Sequence, residues 1–263
     1  MVSGKKIMVV IPARGGSKGI KDKNIQSYLG KPLILHSVDQ SIDLLESGLV
    51  NKILLTTDSE EIAKTVQEYD SRVWIPFLRP SEISQDLSTD LEFFQHLLTY
   101  LENNHPEDLP DILIHLRPTY PYRSSTEIKK ALETYIPISD NYDCLRSVFK
   151  WEGKSPLKMF VMDHQDTSDN SLISKSLIPL KYEINGIKEP YNMPRQLLPD
   201  IYSCNGYLDI INRLTITEKN SVSGTCIYPW IMDSDKTDDL DTLEDWKKSE
   251  EKQLKEMMHV NTI

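Results

Sequence analysis

Short runs rich in apolar residues recur along the first 150 residues of this chain, and segments with helical spacing lie between them. Ile7–Ile11 is the first run, Lys52–Thr57 the second, and Arg72–Phe77, Asp111–Leu116 and Tyr142–Phe149 follow. Pro32–Leu45 carries Leu33, Leu35, Val38, Ile42 and Leu45 at the spacing of one helix face, with Gly48 just beyond. Glu60–Glu68, Leu91–Leu101 and Ser124–Tyr135 read as further helices; Asp58-Ser59 can cap the first of these and Ser124 or Ser125 the last. A strand that is apolar on both faces has to be covered on both faces. Buried strands that alternate with helices of this length predict an α/β fold with a mostly parallel, doubly wound sheet and right-handed crossovers. Such sheets bind ligands beyond the carboxyl ends of their strands. The loops to watch therefore follow Ile11, Thr57, Phe77 and Leu116, together with the acidic run near the C-terminus.

The rhythm stops at Lys150. Residues 150–203 are rich in Pro, Asn, Ser and Asp, and read as an insertion of hairpins over the active site or a partner subunit, within a single domain spanning 1–263. Asp163–Asn170 is polar enough for an exposed turn. Gly206–Ile211 and Thr225–Ile231 regain strand character, and Asp239–Met258 is a final helix with Leu240, Leu243, Trp246 and Leu254 on its buried side. A net charge of −10 argues against a nucleic-acid partner, which would favour the opposite sign. Three scattered cysteines suggest neither a disulfide framework nor a zinc site. No run approaches the ~18 apolar residues of a membrane helix, and no signal peptide precedes the first strand, so a cytoplasmic protein without a membrane partner is expected.

The loop Pro12–Asn24 reads PARGGSKGIKDKN. Glycines let a backbone approach an anion and aim N–H groups at it, while Arg14, Lys18, Lys21 and Lys23 bring positive charge to an acidic protein. The spacing matches neither a P-loop nor GxGxxG. The segment Ala13-Arg14-Gly15-Gly16-Ser17-Lys18-Gly19 is the expected triphosphate cradle, as opposed to a mobile turn with solvated lysines. Asp239 and Asp241 have two readings: alternate carboxylates can share one hard cation, and acids in a first helical turn, behind a Thr237 or Asp238 cap, also offset the helix dipole. Arg79-Pro80 with Ser88, Thr89 and Asp90 can position a base or ribose, or simply form a loop and a helix cap. Arg117 and Arg123 flank a proline-stiffened turn and can take a carboxylate bidentately, or simply stiffen a strand-to-helix connection. Pro194-Arg195-Gln196 and Cys204-Asn205-Gly206 are weaker loop signals.

Taken in order, these segments resemble the acylneuraminate cytidylyltransferases, the CMP-sialic acid synthetase family. The matching pieces are IPARGGSKG with Lys23-Asn24, Thr56-Thr57-Asp58, Leu78-Arg79-Pro80, Pro118–Arg123, Ser155-Pro156-Leu157-Lys158, Pro194-Arg195-Gln196, Asn205-Gly206, and the pair Asp239 and Asp241. The resemblance implies a three-layer sandwich like that of nucleotide-diphospho-sugar transferases, with an inserted dimerisation element and hence a homodimer. It implies that CTP binds Ala13, Arg14, Gly15, Gly16, Ser17, Lys18, Lys23, Asn24, Arg79 and Ser88, with Arg14 and Lys23 on the phosphates and Asn24 and Arg79 on ribose and base. Mg²⁺ would sit on Asp239 and Asp241, and Arg14, Lys23 and Asp241 would carry the catalysis. The anomeric hydroxyl of an acidic 2-keto sugar, held by Arg117, Tyr120, Lys158, Arg195 and Asn205, would attack the α-phosphate and release pyrophosphate. The acceptor half departs from the family pattern: Arg117 replaces a glutamine, Tyr120 and Tyr122 replace a small residue and a leucine, and Ser203-Cys204 stand where some relatives have an arginine. An acceptor other than ordinary N-acetylneuraminate is therefore expected, either a legionaminic or pseudaminic type of nonulosonic acid or another class such as a 3-deoxy-octulosonate or a phosphorylated small molecule. A non-catalytic nucleotide-binding homologue is the remaining alternative.

Overall fold

The structure is a computed structural model that describes residues 4–17, 19–164, 175–234 and 239–260. Lys18, the cap candidates Thr237 and Asp238, and all but the first two residues of the turn expected at Asp163–Asn170 lie outside the described residues. The chain divides into two compact units, Met1–Val148 with Cys204–Ile263, and Phe149–Ser203.

The first unit opens with β1 (Ile7–Pro12), a small ribbon of β2 (Ser27–Tyr28) and β3 (Lys31–Pro32), and α1 (Leu33–Glu46). Next come β4 (Lys52–Thr56), α2 (Glu60–Tyr69), β5 (Val73–Trp74), α3 (Asp90–Asn104), β6 (Ile112–His115), α4 (Ser125–Tyr135) and β7 (Cys144–Lys150). The second unit contains β8 (Phe160–His164), β9 (Lys175–Pro179), β10 (Glu183–Ile184) and β11 (Ile187–Lys188). The first unit resumes with β12 (Tyr202–Asn212), α5 (Arg213–Thr217), β13 (Ile227–Met232) and α6 (Leu243–Val260).

Seven strands form one sheet in the order β13-β7-β12-β6-β1-β4-β5. β1 runs parallel to β4 and β6, β4 runs parallel to β5, and β12 is antiparallel to β6. This is the expected α/β fold. Its three layers follow from the period of a strand: Ile7, Val9 and Ile11 of β1 pack into one core with α1, α2 and α4, while Met8 and Val10 pack into another with α3 and α5. Burying each such side chain contributes about 1.5–3 kcal/mol, so both faces of β1 stabilise the sheet. The caps are local. Ser59 Oγ accepts from the Ile62 N–H at 3.3 Å to start α2, and Thr89 with Glu92 forms a capping box on α3.

The last helix begins later than its apolar pattern predicts. Thr242 Oγ1 accepts from the Asp245 N–H at 3.1 Å, and the Asp245 carboxylate accepts from the Thr242 N–H at 2.9 Å. Asp239 and Asp241 thus precede the helix, and their acidity is not spent on its first turn. Leu240 and Trp246 are buried as expected, but Leu243 and Leu254 are exposed. The strand expected at 72–77 shrinks to Val73–Trp74; the prolyl nitrogen of Pro76 has no N–H to extend the ladder. Cys204-Asn205-Gly206 lies inside β12 rather than in a loop, and Gly206 takes φ +70°, a left-handed kink that glycine tolerates without strain.

In the second unit, β8 and β9 pair antiparallel with Val161 opposite Ile178 and Met162 opposite Leu177. Asn185 and Gly186 both take positive φ and turn β10 into β11, the backbone signature of a two-residue hairpin. Met162, Leu177, Ile178 and Tyr182 are exposed.

Candidate active site

At the carboxyl edge of the sheet the loops after β1, β5 and β6 and the segment before α6 surround a recess of about 470 Å³ lined by Arg14, Lys23, Arg79, Ser88, Arg117 and Asp241, among others. The loop after β1 is anchored through its backbone. Ala13 N–H donates to the Thr56 carbonyl at 3.0 Å, and Gly15 N–H donates to Asp58 Oδ1 at 2.8 Å. Gly16 sits at φ +63°. Gly19 is required for a different reason: a Cβ there would lie 2.6 Å from the Asp241 carbonyl oxygen. Asn24 is buried and donates to the Arg14 carbonyl at 2.9 Å, so its amide shapes the loop while it lines the recess.

Arg14 is held loosely, whereas Lys23 is largely enclosed. Arg14 donates to Asp86 at 2.8 Å with both side chains about one-third exposed. Lys23 Nζ donates to the Leu240 carbonyl at 2.8 Å and lies 3.2 Å from Asp241 Oδ1, which ties the first loop to the acidic segment. Arg79, buried, donates from Nε to Ser84 Oγ at 2.9 Å and stacks 5.6 Å above the Phe93 ring. Burial lowers its pKa, and the Arg14 charge pushes in the same direction against Asp58. Ser88 Oγ accepts from Gln85 N–H at 2.9 Å and stiffens the wall.

Asp241 lines the recess and is largely exposed. Asp239 stands beside Thr119, whose carbonyl accepts from Leu240 N–H at 3.0 Å, and beside Gly206, where a Cβ would lie 3.9 Å from Asp239 Oδ2. Although Asp239 keeps accessible surface, dehydration by its surroundings raises its carboxyl above the ordinary value; a Thr119 hydrogen bond opposes the rise and the Asp241 charge adds to it.

The Arg117 corner is built differently. Arg117 donates to Asp209 Oδ2 at 2.7 Å and to Asp90 Oδ2 at 2.8 Å, and Arg146 Nε donates to Asp209 Oδ1 at 2.7 Å. His115 lies 3.9 Å from both carboxylates with Phe93 and Phe94 edge-on. Burial holds His115 well below its ordinary pKa, with the Arg117 charge adding to the effect, so the ring is neutral at pH 7; its Nε2 has no hydrogen-bond partner among the described residues. Burial alone would raise the Asp209 carboxyl; Arg117 and Arg146 overcome that and hold it below the usual range. Asp90, Asp209, Arg146 and His115 were not singled out as site residues by their local motifs, apart from Asp90 as part of the loop after Arg79.

Partners within this chain surround two of the expected acceptor contacts and the expected anion-binding arginine. Tyr120 is buried with its ring 5.2 Å from Tyr207, and is a packing residue. Asn205 is buried inside β12; its Oδ1 accepts from Ser147 Oγ at 2.6 Å and from Tyr207 N–H at 3.1 Å. Arg123 is buried too and donates to the carbonyls of Tyr207, Tyr120 and Arg117, which leaves it no bidentate face for a carboxylate. Lys158 and Arg195 belong to the second unit. There Arg195 donates to the Glu152 carbonyl at 3.0 Å and lines a recess with Lys150, Trp151 and Asp200.

The profile of a family described as Cytidylyltransferase matches residues 8–261. An N-acylneuraminate cytidylyltransferase of Escherichia coli O18:K1:H7 is 28% identical over 92% of this chain and 51% of its own length, so the chain spans about half of that relative. A CMP-N,N'-diacetyllegionaminic acid synthase of Legionella pneumophila is 29% identical over 93% of this chain and 95% of its own. Among solved structures, a CMP:2-keto-3-deoxy-manno-octonic acid synthetase complexed with CTP superposes with a TM-score of 0.63 over 95% of this chain and 99% of the other, at 15% identity, a likeness of fold.

Proposed function

Because the chain belongs to the cytidylyltransferase family, we propose that it transfers CMP from CTP to an acidic 2-keto sugar of the nonulosonic acid type, releasing pyrophosphate and supplying a CMP-sugar for surface glycan synthesis. The observation that carries this reading is the convergence of Arg14, Lys23, Arg79 and Asp241 on one recess at the carboxyl edge of a largely parallel sheet. The near full-length match to a legionaminic acid synthase supports an acceptor of that class.

The loop after β1 presents backbone N–H groups and the Arg14 and Lys23 side chains to the triphosphate, where they offset the charge gathering on the departing pyrophosphate. Arg79, fixed by Ser84 and Phe93, and the wall near Ser88 orient the nucleoside. Holding the α-phosphate and the attacking hydroxyl in one recess supplies much of the rate, as in other phosphoryl-type transfers. Asp239 and Asp241 fit a hard divalent cation: both are oxygen donors, both precede α6, and a cation would relieve the Asp241 repulsion that adds to the dehydration raising Asp239. Mg²⁺ bound there would supply charge neutralisation across the phosphates. Asp241, exposed to the recess, is also placed to accept the proton of the attacking hydroxyl.

We place the protein in the cytoplasm as a homodimer. The exposed apolar side chains of the β8–β9 hairpin support self-association, and no helix among the described residues is long and apolar enough to cross a membrane. Mixing the chain with CTP, Mg²⁺ and a panel of N-acetylneuraminate, legionaminic, pseudaminic and 3-deoxy-octulosonic acids tests the reading. The expected result is acceptor-dependent pyrophosphate release, strongest with a legionaminic or pseudaminic acid. Silence across the panel overturns it, and full-rate turnover of N-acetylneuraminate removes the special acceptor.

A further inference from the structure

Arg117 reaches the recess with its charge already balanced. Its guanidinium has five N–H donors, and its two carboxylate partners differ in kind. Asp209 is 5% exposed and shared between Arg117 and Arg146. Asp90 is 40% exposed, lines the recess itself, and is hydrogen-bonded to Arg117 alone in this cluster; neutral His115 lies 3.9 Å away, and the Arg79 charge reaches it across the recess. Breaking the Asp209 pair would leave two half-buried guanidinium groups without their shared anion. Breaking the Asp90 pair would leave a carboxylate at the first position of α3, where free helix N–H groups and the helix dipole favour negative charge. The cluster therefore has one fixed bond and one exchangeable bond. A planar guanidinium fork suits a carboxylate better than a lone lysine does, and the phosphate-binding side of the recess already has Arg14 and Lys23.

We propose that Asp90 is the displaceable counter-ion of Arg117, occupying in the empty site the donors that the acceptor's carboxylate takes, while Asp209, anchored by Arg146, holds Arg117 in place for the exchange. This rests on transfer to an acidic acceptor. No bond is made or broken covalently: one carboxylate leaves the guanidinium, another replaces it, and the charge in the recess is conserved by Asp90 turning to the α3 terminus and solvent. Asp90 sets specificity by competing with every incoming anion, so an acceptor gains entry only by binding Arg117 better than an intramolecular carboxylate does. Asp209 is a positioning residue that acts through Arg117.

Asp90→Asn removes the competitor with little change of shape. With whichever acceptor of the panel the wild type uses, its acceptor KM should fall about 5- to 10-fold, because the binding-competent fraction rises, while the CTP KM stays within about two-fold. Asp209→Asn should do the opposite, raising the acceptor KM with CTP KM unmoved; if it melts below assay temperature, Arg146→Gln loosens the same anchor from its more exposed end. A readout without turnover separates this proposal from the transferase reading. Phenylglyoxal labelling of Arg117, followed by peptide mass spectrometry, should be faster in Asp90→Asn than in wild type, and pyruvate, the simplest 2-keto carboxylate, should suppress the labelling more strongly in the variant. An acceptor KM that rises or does not change in Asp90→Asn overturns the proposal, as does Arg117 labelling indifferent to the substitution and to pyruvate. A wild type silent with every acceptor, but with the labelling pattern intact, sinks the transferase reading and leaves the exchange standing.

Discussion

Arg14 and Arg117 line the same recess, yet they are held in opposite ways. Arg14 projects from a loop whose shape is set by its own backbone and glycines, and its acid partner, Asp86, is as accessible as the arginine itself. Arg117 emerges just past β6 into a cluster whose central carboxylate is buried and shared with Arg146 on β7. The first arrangement spends little energy on fixing the side chain and leaves it free to follow a flexible triphosphate. The second fixes one guanidinium before any ligand arrives, at the cost of dehydrating several charges. The proposed transfer, with one nucleotide and a choice of acceptor, would use both.

The largest expected effect lies on the nucleotide side. Asp241→Ala should lower turnover by about 10²–10³-fold or more, on the scale of removing one group that stabilises transferring charge. The fold should survive, since the Asp241 side chain is largely exposed. A melting curve that matches wild type, together with pyrophosphate release at the limit of detection, is the expected pair of results. Unchanged turnover would remove Asp241 from the metal and the chemistry alike. In the presence of Mg²⁺ and CTP, wild type should gain thermal stability that Asp241→Ala does not.

Stability reverses the ranking of the two corners. Asp209→Asn leaves Arg117 and Arg146 half-buried without their shared anion, and should cost about 1.5–3 kcal/mol in urea unfolding. Arg14→Ala removes only a partly exposed pair and should cost under about 1 kcal/mol. Equal costs for the two variants would mean that the corners are not built differently after all. Gly19→Ala sharpens the same contrast from the loop side. Its added Cβ would meet the Asp241 carbonyl at 2.6 Å, and that carbonyl belongs to the segment that Lys23 holds through Leu240. The loop and the acidic segment must part, and a displacement on the order of 1 Å at the chemistry can cost up to about 10²-fold in turnover. Unfolding free energy should change far less than kcat, which steady-state kinetics beside a urea titration would reveal.

What was legible in the sequence follows this division. The glycine-rich loop after β1, the Ser59 cap and the alternating faces of β1 depend on residues close together in the chain, where composition and spacing report geometry directly. Arg117 was visible as a charge, but its setting was not. Its partners lie 92 and 27 residues away, and Arg146 lies 63 residues from Asp209. These residues meet only because β6, β7 and β12 are neighbours in the sheet and α3 crosses its face. Asn205 and Tyr120 carry the right chemistry for a ligand, and nothing local shows that their side chains are used up inside the fold. Leu243 and Leu254 keep helical spacing, but the helix starts at Leu243 only because Thr242 and Asp245 cap it, and that phase turns both leucines outward.

The smallest effect is a pH dependence, and it reads the Arg117 corner by itself. Asp209 is charged in the folded protein at pH values where the unfolded chain would already hold a proton, because Arg117 and Arg146 outweigh the penalty of its burial. A carboxyl depressed on folding contributes stability above its unfolded pKa, near 3.9, and loses that contribution as pH falls through the folded value. Wild type should therefore hold its full advantage over Asp209→Asn from neutral pH down to about 4, and the gap in unfolding free energy should narrow below that. Buried His115 stays neutral in the fold while the unfolded imidazole takes a proton near 6.5, so it costs both proteins stability as pH falls below about 6.5 and drops out of the gap between them. Urea titrations of both proteins at several pH values between about 3 and 7 test this directly. A gap constant through pH 3 would mean that Asp209 takes no net charge stabilisation from the two arginines, and with it would go the reason for calling Arg117 fixed on one side and exchangeable on the other.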